Sequence, residues 1–135
     1  MSIAEQFELS GKTAIVTGGS QGLGKAFARA LADAGANVVV VSRTYSKLNE
    51  VARDLQESYG VEALPLEADI TDQNRIAKVV DRARGEFGDI DILINNAATG
   101  RLHKPPEETS LEEWKNVIET NVTGTFICSK EVGKK

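Results

Sequence analysis

The stretch Thr17-Gly18-Gly19-Ser20-Gln21-Gly22-Leu23-Gly24 sets four glycines within eight residues. Before it runs Thr13-Ala14-Ile15-Val16, apolar and β-prone. After it Leu23, Phe27, Ala30, Leu31 and Ala34 recur at helical spacing, and Gly35 follows where a C-cap glycine belongs. A strand, a glycine turn and a helix start together make an anion site. The glycines let the main chain turn tightly and approach a pyrophosphate, while the new helix aims free N–H groups and its positive dipole end at the charge. The backbone through Gly18, Ser20, Gln21, Gly22, Leu23 and Gly24 is therefore expected to line phosphate. The alternative is a ligand-free connection, for which so many glycines would only add conformational entropy to the unfolded chain.

Spacing separates the nucleotide folds. Gly19 to Lys25 fits G-x-x-x-x-G-K, but a phosphate-binding loop of that kind needs Ser or Thr next to hold magnesium, and Ala26 stands there. The usual dinucleotide pattern G-x-G-x-x-G also fails, because Phe27 occupies its third glycine position. What fits is T-G-x-x-x-G-x-G.

These residues need elements to hold them. Met1 to Gly11 is a lead-in with Phe7 and Leu9 as candidate anchors. Asn37-Val38-Val39-Val40-Val41 reads as a strand buried on both faces, since it does not alternate. Leu48, Val51, Leu55 and Tyr59 mark a helix stopped by Gly60, and a third strand near Val61 to Leu66 contains Pro65, which belongs at a sheet edge. Ile76, Val79, Val80, Ala83 and Phe87 mark the next helix, ended by Gly88; Ile90 to Ile94 is the fourth strand. Ser110-Leu111-Glu112-Glu113 is a capping-box start to a last helix through roughly Val132, with Trp114, Val117, Ile118 and, seven residues beyond Trp114, Asn121 on its inward face. The order βαβαβαβα predicts an α/β fold: one domain over residues 1–135, a Rossmann-type doubly wound parallel sheet of strand order 3-2-1-4. The fourth strand is apolar enough to expect cover on both sides, yet no fifth strand follows, so the chain reads as cut short and open to self-association through that edge.

Thr17-Gly18…Gly22-Leu23-Gly24, Asp69-Ile70, Asn95-Asn96-Ala97-Ala98 and Asn121, in this order and spacing, resemble the N-terminal half of a short-chain dehydrogenase/reductase. The stretch at Ser42-Arg43 looks most like NADP-using polyol dehydrogenases of the gluconate 5-dehydrogenase type and ketoacyl or tropinone reductases. The resemblance implies hydride transfer between a nicotinamide and a small alcohol or ketone, and a homo-oligomeric complete protein. It implies that Asp69 accepts from the adenine amino group while Ile70 lines the ring. Asn95 would steady the sheet as a buried amide bonded to neighbouring backbone, and the backbone from Asn96 through Ala97 to Ala98 would pass the nicotinamide ribose. Asn121 would be the asparagine of the catalytic tetrad. Where the family usually has a glycine, this chain has Ala98. On the residues alone, Asp69 could instead serve the N-terminus of the following helix, and Asn121 could be a structural amide. The family's serine and Y-x-x-x-K have no counterpart here: Tyr45 and Tyr59 are the only tyrosines, and neither is followed by lysine four residues on. These residues alone are expected not to turn over substrate. A dinucleotide-binding or self-associating module without catalysis is the alternative, and an NTPase a remote one.

Charge selects the cofactor. A carboxylate after the second strand would hold the ribose 2′-hydroxyl of NAD and repel a 2′-phosphate. Here Ser42-Arg43 stands instead, a guanidinium and a hydroxyl suited to a phosphate dianion, so NADP is expected over NAD. Arg43 merely solvated on a surface turn is the competing reading. The net charge of −4 argues against a nucleic-acid or membrane surface. Nothing resembles a leader peptide or a bilayer-spanning run, and the single cysteine, Cys128, allows no internal disulfide, so a reducing cytoplasm and a buried inert thiol are expected. No metal site is expected, and His103, the only histidine, reads as a loop residue rather than a base.

Overall fold

The computed structural model describes residues 1–100 and 104–134; His103 lies outside the described residues. The chain runs α1 (Ile3–Gln6), β1 (Thr13–Thr17), α2 (Gly22–Asp33), β2 (Asn37–Ser42), α3 (Tyr45–Tyr59), β3 (Ala63–Glu67), α4 (Gln73–Phe87), β4 (Ile92–Ile94), α5 (Leu111–Ile118) and α6 (Thr125–Gly133). All three strand pairings are parallel, in the order β3-β2-β1-β4. This is the Rossmann winding that the element order predicts.

The non-alternating valines of β2 are explained by burial on both faces. Val38 and Val40 pack with Ala28, Ala32, Leu48, Val51 and Leu55 from α2 and α3. Val39 and Val41 pack with Ile76, Val79, Val80, Ala83, Ile127 and Cys128 from α4 and α6. Pro65 pairs with Val40 on the outer strand, where a missing donor is tolerated. Gly60 takes φ +69° after Tyr59 and ends α3 in the left-handed conformation.

Several expectations change. The fourth strand is three residues, Ile92–Ile94, not Ile90 to Ile94. Asp91 accounts for the loss. Its N–H donates to the Thr13 carbonyl, and its carboxylate accepts the Thr13 N–H at 2.9 Å, so a side chain ends the ladder. Rather than being covered on both sides, β4 is a half-buried edge strand. Phe7 does not anchor the lead-in; it is exposed, and Leu9 is half-buried with its N–H donating to the Ala34 carbonyl.

The helix expected from Ser110 to Val132 is interrupted by a π-helical turn, Glu119–Gly124, between α5 and α6. Its capping box is present, with Ser110 Oγ accepting the Glu113 N–H and Glu113 accepting the Ser110 N–H. Hydrogen bonds from i to i+5 add a residue per turn and rotate the helix beyond them, so counting seven residues from Trp114 no longer finds one face. Trp114 is 56% exposed and Ile118 36%, while Val117, Ile127 and Cys128 turn inward.

On α2 the apolar spacing also misleads. Gly24, Ala28 and Ala32 face the sheet; Leu23 and Phe27 are exposed, and Leu31 is half-buried. The smallest residues win because the first turn of α2 lies directly on the glycine turn. A Cβ built on Gly24 would stand 2.0 Å from the Gly18 carbonyl oxygen. Alanine in a helix interior normally stabilises by about 0.5–1 kcal/mol relative to glycine. Gly85 of α4, exposed and with open space around its would-be Cβ, should behave that way. Urea unfolding is expected to show Gly85→Ala raising stability by that amount, and Gly24→Ala lowering it by about 1–3 kcal/mol through overpacking.

Candidate functional site

Where β1 ends, the chain makes its tightest excursion. Gly18 takes φ +65° and Gly22 φ +56°, conformations that side chains disfavour. The Gly19 N–H reaches across to the Val41 carbonyl at 3.3 Å, tying the turn to β2. At the start of α2 the N-cap, Gln21, makes no side-chain capping bond, and the first turn holds no acid. Its leading N–H groups are therefore without a side-chain cap at the positive end of a twelve-residue helix. A would-be Cβ on Gly22 meets nothing within 4 Å. An open space edged by uncapped amides is the donor chemistry that a pyrophosphate requires, so the residues present fit the group.

Thr17 is the hub behind this turn. Its buried hydroxyl accepts the N–H groups of Asn96 (3.1 Å) and Ala97 (3.0 Å), and donates to the Ile94 carbonyl (3.3 Å). Asn96 Nδ2 donates to the Gly18 carbonyl at 3.3 Å. One hydroxyl and one amide thus lock the loop after β4 to the loop after β1. Asn95 departs from expectation: it is exposed, and its amide donates to the Ser129 hydroxyl at 3.1 Å rather than being buried against backbone.

The cleft at the carboxyl ends of the strands has a volume of about 340 Å³ and is lined by Gly18, Ser20, Gln21, Gly22, Val41, Ser42, Arg43, Thr44, Lys47, Ala68, Asp69, Ile70, Asn96, Ala97, Ala98 and Thr120. Of the residues expected at the site, Leu23, Gly24 and Asn121 do not line it. Gly24 lies beneath the turn and Leu23 is 69% exposed. Lys25, which a phosphate-binding loop of the NTPase type would aim into the site, is absent from the lining.

Asp69 Oδ1 accepts from the Thr71 N–H (3.0 Å) and the Thr71 hydroxyl (2.8 Å). The Thr71 N–H, then its hydroxyl and the nearby charge of Arg43, hold this carboxyl below its ordinary value. The N-cap of α4 is Asp72, three residues on, which accepts the Arg75 N–H. A capping role for Asp69 is thereby taken by another residue, and its Oδ2 has no protein partner among the described residues. Ile70 is held by the π turn: a Cβ on Gly124 would stand 2.6 Å from the Ile70 side chain. In that same turn, Asn121 Oδ1 accepts the Thr99 N–H (2.8 Å) and its Nδ2 donates to the Thr99 carbonyl (2.9 Å). This reciprocal pair fastens the loop after Ala98.

Sequence reasoning passed over Thr44, Lys47 and Thr120 in the lining, and the hub role of Thr17. Lys47 carried a readable signal: Thr44-x-x-Lys47 puts a cation where a capping box would place Glu.

The short chain dehydrogenase family model matches residues 12–135, so the chain belongs to that family. Glucose 1-dehydrogenase 2 of Bacillus subtilis (strain 168) is 38% identical over 123 residues, 91% of this chain and 48% of that protein. The L-sorbose reductase of Gluconobacter frateurii, solved with NADPH and L-sorbose, superposes with a TM-score of 0.86 at 36% identity, over 93% of this chain and 47% of that one. A xylitol dehydrogenase solved with bound NAD+ superposes with a TM-score of 0.88 at 31% identity, over 92% and 47%. The chain spans about half the length of the curated relatives it matches.

Replacing Thr17 with the near-isosteric valine removes the acceptor of two main-chain N–H groups. Thr17→Val is expected to lose about 1–3 kcal/mol of stability in thermal or urea unfolding. Hydrogen exchange should quicken at Asn96 and Ala97 before the rest of the sheet.

Proposed function

We propose that this chain is the cofactor-binding part of an NADP-dependent oxidoreductase that moves hydride between the nicotinamide and a small alcohol or ketone. The supporting observation is the end of β2. Ser42 and Arg43 line the cleft there, no carboxylate stands at that strand end, and among the described residues Arg43 has no carboxylate within ion-pair distance. The relatives include NADPH and NAD+ complexes, so the preference rests on these two residues.

When bound, the nicotinamide supplies the hydride-exchanging carbon. The chain's own residues bind and orient. Amides at the start of α2 and around Gly22 would hold the linked phosphates, the Asp69 carboxylate would accept from the adenine amino group, and Ile70 would line the ring. The backbone from Asn96 to Ala98 would border the nicotinamide ribose, and Asn121 positions that segment through Thr99. Neither Tyr45 nor Tyr59 lines the cleft, so the proton that accompanies hydride transfer is exchanged with groups outside these residues. By the same reading, the isolated 135-residue chain binds cofactor but does not oxidise NADPH. The bare edge of β4, together with Trp114, Ile118 and Phe126 exposed along α5 and α6, is where further structure or a second copy packs. No described helix is long and apolar enough to cross a membrane. Burial pushes the Cys128 thiol up to about 11, which keeps it protonated and inert at neutral pH.

Titration followed by nicotinamide fluorescence tests the assignment. Arg43→Ala is expected to weaken NADPH by roughly 1.5–3 kcal/mol, the range for a lost charged hydrogen bond, and to leave NADH within about twofold. Equal losses for both cofactors would mean that Arg43 does not read the phosphate.

A further inference from the structure

Lys47 stands on the first turn of α3, four residues beyond Arg43, and lines the same cleft as Ser42, Arg43 and Thr44. The cleft lining therefore carries two cations, in a chain whose net charge is −4. Among the described residues neither cation has a carboxylate within 4 Å. The acid nearest in the ladder, Glu67, pairs in register with Ser42 but does not line the cleft, and Asp69 is already bonded to Thr71. Asp69 also feels the charge of Arg43, but neither cation is closed into an ion pair, so both are open to an anion entering the cleft.

The first turn of α3 breaks a local rule in the same sense. Thr44 is its N-cap but makes no side-chain capping bond, and no acid follows in the first turn. The third helical position, where Glu would close a capping box, carries Lys47, whose charge opposes the helix dipole. Ser42 Oγ accepts the Thr44 N–H at 3.3 Å, which leaves its own proton to donate into the cleft. Arg43 offers a planar fork and Lys47 a compact point charge, so the two can meet different oxygens of one phosphate without competing.

We propose that Lys47 is a second specificity-determining residue of the site, its ammonium sharing the adenosine 2′-phosphate of NADP with the Arg43 guanidinium. This rests on the NADP reading above and deepens it. Both side chains are exposed, so each contact is partly screened, and Lys47 adds to the contact that Arg43 makes.

The test is calorimetric titration of the protein and its Lys47→Ala, Lys47→Arg and Arg43→Ala variants with NADPH, NADH, 2′,5′-ADP and 5′-AMP, at two salt concentrations. Lys47→Ala is expected to weaken NADPH and 2′,5′-ADP by about three- to tenfold, to leave NADH and 5′-AMP within about twofold, and to flatten the salt dependence of NADPH binding. Lys47→Arg should restore most of the loss. Circular dichroism melts confirm that each variant is folded before its affinity is compared. If Lys47→Ala leaves NADPH unchanged, or weakens all four ligands equally, Lys47 does not contact the 2′-phosphate. In that case a selective loss in Arg43→Ala would still uphold the NADP reading. If the unaltered protein binds NADH as tightly as NADPH, both the reading and this proposal fall.

Discussion

Where α2 begins, a Cβ on Gly24 would stand 2.0 Å from the Gly18 carbonyl oxygen, so no side chain fits there. That contact lets the helix start directly beneath the glycine turn and directs its uncapped amides into the cleft. It also fits the face of α2 that meets the sheet, where the buried residues Gly24, Ala28 and Ala32 are all small. The anion site and the packing of the first helix are consequences of one steric fact.

A second layer of hydrogen bonds turns that contact into a two-loop device. Thr17 and Asn96 join the ends of β1 and β4, and the Gly19 N–H joins the turn to β2. The cleft floor is thus braced from strands on both sides, while Asn121 braces the far end of the β4 loop from the π turn. Polar groups that would be costly to bury alone are spent on holding the loops in register. Among described side-chain polar atoms, none that is fully buried lacks a partner.

Strand order, the two-sided burial of β2, the edge position of Pro65 and the glycine stops of α3 and α4 were legible because each follows from local chemistry: branched side chains, a missing donor, a left-handed φ. Most of the cleft lining was legible for the same reason, through the glycine turn, Ser42-Arg43, Asp69-Ile70 and Asn96 to Ala98. What failed needed the third dimension. Leu23 and Phe27 have helical spacing, yet the close approach at Gly24 turns them outward. Trp114 and Asn121 share a face only on a continuous α-helix, and the Glu119–Gly124 turn breaks that continuity. Asp91 reads as one more strand residue until its carboxylate takes a ladder position from Thr13. Lys47 was the exception, since Thr44-x-x-Lys47 carried its signal in the sequence itself.

The pairing of β1 with β4 joins residues 78 positions apart, Thr13 and Asp91. A ribosome adding about 5–20 residues per second makes that interval roughly 4–16 s long. Throughout it the first strand emerges with one flank of main-chain amides and carbonyls unmatched, and Thr17 has no partner loop. The nascent segment is thus sticky for far longer than hairpins or helices take to form, on the microsecond scale. Its exposure during synthesis gives chaperones and other nascent strands a window in which to capture it.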